Sequence, residues 1–176
     1  MQSDELLMLQ FQQGAREAFA ELFARYRDRL YGFFRRRLND PGRAEELAQE
    51  VFLAVLRRSA QYEPRALFRT YLYAIAVRML VAERRKARVV QTADPPTDTS
   101  GGPAQDSELI IRDALAQLDS EHREVVMLRE YEQLSYAEIP DTLGIPVNTV
   151  RSRLFRARMA LKDLLAPAPQ ASGEKP

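Results

Sequence analysis

Residues 91–107, QTADPPTDTSGGPAQDS, constrain this chain more than any other stretch. They hold three prolines and two glycines and no large apolar side chain. Such a segment cannot bury enough surface to offset the entropy of ordering it, so a flexible linker is expected there. Stretched, it would span about 50–60 Å at roughly 3.3 Å per residue. What lies on either side must then fold as two small units. With 45% apolar residues among 176, each half can build its own core. Strand-like alternation is nearly absent, whereas apolar residues recur at spacings of three and four almost throughout. The expectation is an all-α protein: one helical domain over 1–90, the linker over 91–107, a second helical domain over 108–165 containing a helix-turn-helix, and a disordered tail, APAPQASGEKP, over 166–176.

In the first half, Ser3 can cap a short helix ending near Gln12, with Gly14 as the break. A long helix is expected from about Ala15 to Leu38, with Phe19, Leu22, Phe23, Tyr26, Leu30, Phe33 and Phe34 along one face. Asn39-Asp40-Pro41-Gly42 forms a turn with proline ready for the next start. The helix that follows, about Arg43 to Arg58, buries Ala44, Leu47, Ala48, Val51 and Val55. A loop punctuated by Pro64 leads to a third long helix, about Ala66 to Val89, with Leu72, Ile75, Ala76, Met79 and Leu80 inward. In the second half, Leu109 to Leu118 and Ser120 to Tyr131 form two amphipathic helices.

The richest stretch follows them: LSYAEIPDTLGIPVNTVRSRLFRARMALKDLL, residues 134–165. Ser135 with Glu138 three residues on is a capping box, which starts a helix. Gly144 sits where that helix must stop and the backbone needs positive φ. Pro140 would fall about five residues in, which predicts a kink or a shortened helix, at a cost of up to ~3 kcal/mol if nothing adjusts. A second helix begins at once, with Val150, Leu154, Ala157, Leu161 and Leu164 as its buried stripe. Asn148, Ser152, Phe155, Arg156 and Met159 lie on the opposite face, beside Thr149, and Arg151, Arg153 and Arg158 flank it. Between Val147 and Lys162 there are five basic residues and no acidic one. A short helix, a glycine turn and a basic helix together make a helix-turn-helix, whose second helix enters the major groove of duplex DNA.

Charge is unevenly spread over a chain whose net charge is only +1. Residues 1–90 carry 17 Lys/Arg against 11 Asp/Glu, and residues 108–176 carry 9 against 11. Two separate basic patches follow, the first ending in Arg84-Arg85-Lys86-Ala87-Arg88 and the second on the recognition helix. Cysteine is absent, so no disulfide framework or thiolate metal site can form. The single histidine, His122, sits beside Glu121 and Glu124 and is expected on the surface. The acidic start MQSDELLMLQ lacks the order of a signal peptide, and no run of some 18 apolar residues exists. A soluble cytoplasmic protein is expected. No nucleophile–base pair, phosphate loop or metal-ligand spacing is visible, so catalysis, cofactor and metal, small-molecule substrate and membrane insertion are all expected to be absent.

On the helix from Arg43 to Arg58, Glu45, Glu46, Gln49, Glu50 and Leu53 project away from the apolar stripe. Acids beside an exposed leucine form either a solvated face or a partner-binding one, with the leucine as anchor and the acids selecting a basic surface.

The two constellations, in this order, resemble the extracytoplasmic-function sigma factors, bacterial transcription initiation factors made of two helical domains known as regions two and four. LSYAEIPDTLGIPVNTVRSRLFRARMAL looks like region four, and RAEELAQEVFLAVLRR is similar to the helix that grips the clamp helices of the polymerase largest subunit. The resemblance implies that Glu45, Glu46, Gln49, Glu50 and Leu53 bind core RNA polymerase. It places Asn148, Thr149, Arg151, Ser152, Phe155 and Arg156 on the minus-thirty-five element, with Arg153, Arg158 and Lys162 on phosphates. Arginine can bond guanine bidentately and phenylalanine can pack on a thymine methyl, while phosphate contacts give affinity without sequence choice.

The resemblance further implies a flipped base of the minus-ten element in the loop Gln61 to Arg65, and strand opening supported by FRTYLYAIAVRMLVAERRKAR. Tyr62, Phe68, Tyr71 and Tyr73, near Arg65, Arg69, Arg78, Arg84, Arg85, Lys86 and Arg88, suit stacking and backbone tracking, although aromatics at these spacings are more often core, Phe68 and Tyr73 above all. Tyr71 stands where the family commonly has tryptophan, Arg78 where it has asparagine, Ala82 where it has aspartate, and Arg43 where it has an acid. These departures bear on minus-ten preference rather than on fold. Core polymerase, promoter DNA and an anti-sigma factor are the implied partners. A stand-alone helix-turn-helix regulator and a sigma-like decoy that occupies an anti-sigma factor are the alternative readings.

Overall fold

The structure, a computed structural model, describes residues 2–90 and 106–166. The expected linker over 91–105 and the tail from 167 lie outside the described residues. Eight α-helices account for nearly all of the rest: α1 Asp4–Gln12, α2 Arg16–Arg35, α3 Pro41–Arg58, α4 Phe68–Val90, α5 Asp106–Gln117, α6 Ser120–Glu130, α7 Glu138–Leu143 and α8 Val147–Leu165. No strand occurs among the described residues, in line with the all-α expectation. α5 reaches back to Asp106, into the end of the stretch expected to be linker.

Local chemistry sets most of the boundaries. The Ser3 hydroxyl accepts from the Leu6 amide and opens α1. Asp40 does the same for Arg43, with Pro41 at the first helical position, so α3 begins at Pro41 rather than Arg43. α2 ends at Arg35, short of Leu38. The carbonyl freed at Leu38 accepts from the Arg35 guanidinium at 3.2 Å. α4 starts at Phe68, where the Glu5 carboxylate of α1 accepts from the Phe68 amide at 2.8 Å. The Gln12 side-chain amide fastens the preceding loop, donating to the carbonyls of Ser59 and Tyr62 at 2.6 and 2.8 Å.

The first half packs α1, α3 and α4 around α2, burying Leu22, Leu30, Phe33 and Phe34 completely along with Val51, Val55 and Leu72. Each such side chain contributes about 1.5–3 kcal/mol relative to exposure. Phe23 departs from the expected core face and is 39% exposed beside α3. In the second half α8 lies on α5 and α6, with Val150, Leu154 and Ala157 inward. Leu161 is partly buried and Leu164 is exposed, so the apolar stripe of α8 fades toward its end. His122 is half-buried rather than on the open surface, with Nδ1 3.4 Å from Asp119.

The capping box forms as expected: the Glu138 carboxylate accepts from the Ser135 amide at 2.8 Å, and the Ser135 hydroxyl from the Glu138 amide at 3.2 Å. It closes a turn, however, and α7 begins only at Glu138. Pro140 therefore sits in the first turn, where no amide needs a partner, and the expected strain does not arise. The helix is shortened instead of kinked. Gly144 ends it in the left-handed region, with φ 67° and ψ 35°.

The two halves are packed against each other, α7 lying on α4 with Ile139 fully buried. Ion pairs line the seam. Arg37, its side chain fully buried, reaches Glu124 at 3.0 Å and Glu132 at 3.2 Å, and its guanidinium lies 3.8 Å from the centre of the Phe33 ring. Arg36 adds a contact to Glu132 at 3.0 Å and covers the Tyr131 ring. Arg69 pairs with Glu138.

Candidate functional site

α3 presents the first surface. Its apolar stripe is held against α2 and α4, which leaves Glu45, Glu46, Gln49 and Glu50 exposed and Leu53 46% exposed. An apolar anchor among acids suits a basic partner helix. Beside them a cleft of about 400 Å³ opens between α2 and α3, walled by Phe23, Tyr31 and Phe52 with Glu45, Gln49 and Arg27 at its edge. Phe23 and Tyr31 were missed in the sequence, because a period of three to four cannot distinguish a groove wall from a core. Arg43 also reaches this face: Nη1 lies 2.8 Å from Glu46 and 3.1 Å from Glu50.

The second surface is the outer side of α8. Val150, Leu154 and Ala157 pin the helix, so Asn148, Arg151, Ser152, Phe155 and Arg156 face solvent, with Thr149 partly covered. Phe155 is 67% exposed, more than any other large apolar side chain among the described residues. The Ser152 hydroxyl donates to the Thr149 carbonyl at 3.0 Å. Arg153 and Arg158 differ from their neighbours. Arg153 pairs with Glu121 at 2.6 Å, and Arg158 with Glu130 at 3.2 Å, so both tie α8 to α6. Arg151 and Arg156 have no ion pair among the described residues.

The third surface surrounds the loop before α4. A cleft of about 360 Å³ brings together Arg58, Gln61, Tyr62, Glu63, Arg65 and Tyr71. Of the expected contacts it gathers Tyr62, Arg65 and Tyr71, with Gln61 and Glu63 from the loop marked in the sequence; Arg58, from the end of α3, is an addition that no motif marked. Tyr62 is buried, its ring 5.3 Å from that of Tyr71 and 6.1 Å from that of Phe68, so it forms the floor of the cleft rather than a free stacking platform. Burial pushes the Tyr62 phenol up to about 12, with the Glu5 charge adding to it. Burial likewise raises Tyr71. Phe68 and Tyr73 belong to the core. Arg65 pairs with Glu63 at 2.6 Å. Arg69 lies apart, in the seam with Glu138, and Arg84 approaches Glu124 at 4.0 Å there. Arg78 and Arg85 are exposed on α4.

Among the described residues no cluster of three or more metal-ligating side chains occurs, and no helix is long and apolar enough to cross a membrane. One of the three surfaces is acidic with an apolar side chain among the acids, and the other two combine arginines with aromatic rings.

The Sigma-70 region 2 family model matches residues 22–89, and the Sigma-70, region 4 model matches residues 108–161. The chain is 37% identical over 166 residues to the RNA polymerase sigma factor CarQ of Myxococcus xanthus, covering 90% of this chain and 95% of that protein. It is 32% identical to the RNA polymerase sigma-H factor of Pseudomonas aeruginosa, covering 94% of this chain and 95% of that one. The ECF RNA polymerase sigma factor SigE of Mycolicibacterium smegmatis is 34% identical over 165 residues, covering 88% of this chain and 64% of that protein. Among solved structures, CnrH in complex with the cytosolic domain of CnrY superposes with a TM-score of 0.75 at 26% identity, covering 93% of this chain and 97% of that one. The helical order, both region matches and the relatives at 32–37% identity together place this chain in the extracytoplasmic-function sigma factor family, whose members bind core RNA polymerase and direct it to promoters.

Proposed function

We propose that residues 1–90 and 108–165 act as two functional domains, and that the outward face of α3 is where this sigma factor takes core RNA polymerase. Glu45, Glu46, Gln49 and Glu50 select the basic partner surface, and Leu53 enters it as the apolar anchor. The outer side of α8 reads the minus-thirty-five element, with Arg151, Ser152, Phe155 and Arg156 at base edges. Asn148 and Thr149 hold the helix N-terminus against the backbone. The cleft over Tyr62, Arg65 and Tyr71 receives the melted minus-ten strand, with Arg69, Arg78, Arg84 and Arg85 tracking its phosphates. The chain itself catalyses nothing: strand opening is driven by binding the unpaired strand. It acts in the cytoplasm.

The observation that carries this reading is the placement of exposed Leu53 among acids on α3 and exposed Phe155 among arginines on α8, in one chain. An anti-sigma protein is proposed to compete for the α2–α3 cleft, in keeping with CnrH, which is found with the cytosolic domain of CnrY. Run-off transcription with purified core enzyme tests the assignment. A promoter-specific product that is lost in Phe155→Ala and in Leu53→Ala supports it. A decoy would give no promoter-specific product, and a stand-alone regulator would bind duplex DNA without needing core enzyme.

A further inference from the structure

We propose that Arg43 sets how tightly this chain holds core RNA polymerase, by occupying from within the acids that the polymerase must take. The inference rests on the assignment of the outward face of α3 to polymerase.

One guanidinium serves three carboxylates. Nε and Nη2 of Arg43 form a fork on Glu83 of α4, at 2.7 and 2.8 Å. Nη1 turns the other way, to Glu46 at 2.8 Å and Glu50 at 3.1 Å. A bridge between α3 and α4 needs only the fork. The third arm lies along the ridge of α3 that a basic partner would approach, and Glu46 and Glu50 are largely exposed there. Four of the five N–H donors are thereby used, so the cation is held in a defined place.

That anchorage decides the sign of the effect. A free surface arginine would swing aside when a partner cation arrived. Arg43 is forked to a carboxylate that is mostly covered, and its own side chain is only 26% exposed, so it can share Glu46 and Glu50 but cannot leave them. An incoming lysine or arginine meets a fixed positive charge about one contact distance behind each acid it bonds. Glu45, which has no ion pair among the described residues, supplies the unscreened part of the attraction. Holding the two acids in one rotamer works in the opposite direction. It acts only on those two side chains, whereas the repulsion reaches every partner cation within a Debye length.

Competition binding of the full-length chain to purified core enzyme tests this, at low and at high salt, with helicity followed by circular dichroism. Arg43→Gln should bind core about three- to tenfold more tightly at low salt, the gap closing as salt rises. Arg43→Lys keeps the charge and should bind like the native chain. The gain should shrink when Glu46→Gln and Glu50→Gln are present, to what the repulsion of the remaining partner cations supplies. Should Arg43→Gln alone melt, Arg43→Gln with Glu83→Gln leaves no carboxylate stranded between the helices and carries the same expectation. Unchanged or weaker binding by the glutamine variants, or an equal gain in Arg43→Lys, overturns the proposal. Glu50→Arg with Leu53→Ala is the control. If it abolishes core binding while Arg43→Gln changes nothing, only the role of Arg43 falls. If it binds core normally, the assignment of the α3 face falls and the role of Arg43 with it.

Discussion

Arg69 of α4 and Glu138 of α7 meet in a two-armed ion pair across the seam between the halves, with Nη2 2.6 Å from the carboxylate. The same carboxylate completes the capping box with Ser135 and accepts from the Thr70 hydroxyl at 3.3 Å. One side chain thus opens the helix-turn-helix and fastens it to the other half. While the pair holds, Arg69 is unavailable to a DNA phosphate.

The pair predicts an acid response. Burial works to raise the Glu138 pKa, but Arg69 and Ser135 overcome it and hold the carboxyl at about 2. A folded pKa below the unfolded one gives stability that is complete above the ordinary carboxylate value of 4.5 and lost as pH falls toward 2. Small-angle scattering should therefore show the chain expanding within that window and unchanged between pH 6 and 8. Expansion that begins above pH 6 would assign the seam to other groups. In Glu138→Gln the acid transition should shrink.

Arg37 is the second seam residue to test. Its side chain is fully buried between Glu124 and Glu132, and Glu132 is itself nearly covered. Removing one member of such a cluster leaves buried charge without a partner, at about 3–5 kcal/mol. Arg37→Met should lose that much in urea unfolding of the full chain, and Arg37→Met with Glu132→Gln distinctly less. Equal losses in both variants would contradict it.

Phe155 should separate recognition from stability. Two-thirds exposed and off the apolar stripe of α8, it contributes little to folding. Phe155→Ala should keep the native melting temperature while losing, in discrimination between its site and a substituted duplex, up to the about 1–3 kcal/mol that one mismatched base pair costs. Fluorescence anisotropy with the two duplexes measures this. A melting point several degrees lower would move Phe155 into the core.

Tyr62 and Tyr71 should behave differently although both line the same cleft. Tyr62→Ala removes a buried ring packed on Phe68 and should cost about 3 kcal/mol of stability. Tyr71 is only partly buried, so Tyr71→Ala should destabilise less but weaken binding of a melted minus-ten strand by about 1–3 kcal/mol. Equal effects on single-strand affinity at equal stability loss would remove the distinction between floor and wall.

What the sequence showed was whatever depends on neighbours three or four residues apart. The stripe of α3, the exposed ridge of Glu45, Glu46, Gln49, Glu50 and Leu53, the Ser135–Glu138 cap and the Gly144 stop all belong to that class, and the structure has each of them. What it hid depends on residues far apart in the chain. The start of α4 is capped by Glu5, 63 residues away, so the local sequence suggested Ala66 instead of Phe68. Arg37, just beyond α2, carries no local mark of its burial, because Glu124 and Glu132 are brought over it from the second half. Tyr62 looked free for stacking because only the fold places Phe68 and Tyr71 against it. The ion pairs of Arg153 and Arg158 were hidden in the same way, because their partners, Glu121 and Glu130, lie on another helix.

The packed arrangement treats the two kinds of DNA unequally. The side of α8 proposed to read duplex points outward while the halves are joined, so gripping duplex there breaks none of the pairs along the seam. Offering Arg69 to an unpaired strand requires letting go of Glu138 first. On the proposed assignment, docking on the double helix can precede uncoupling of the halves, and use of Arg69 on a melted strand comes after it, which writes an order of events into a single contact.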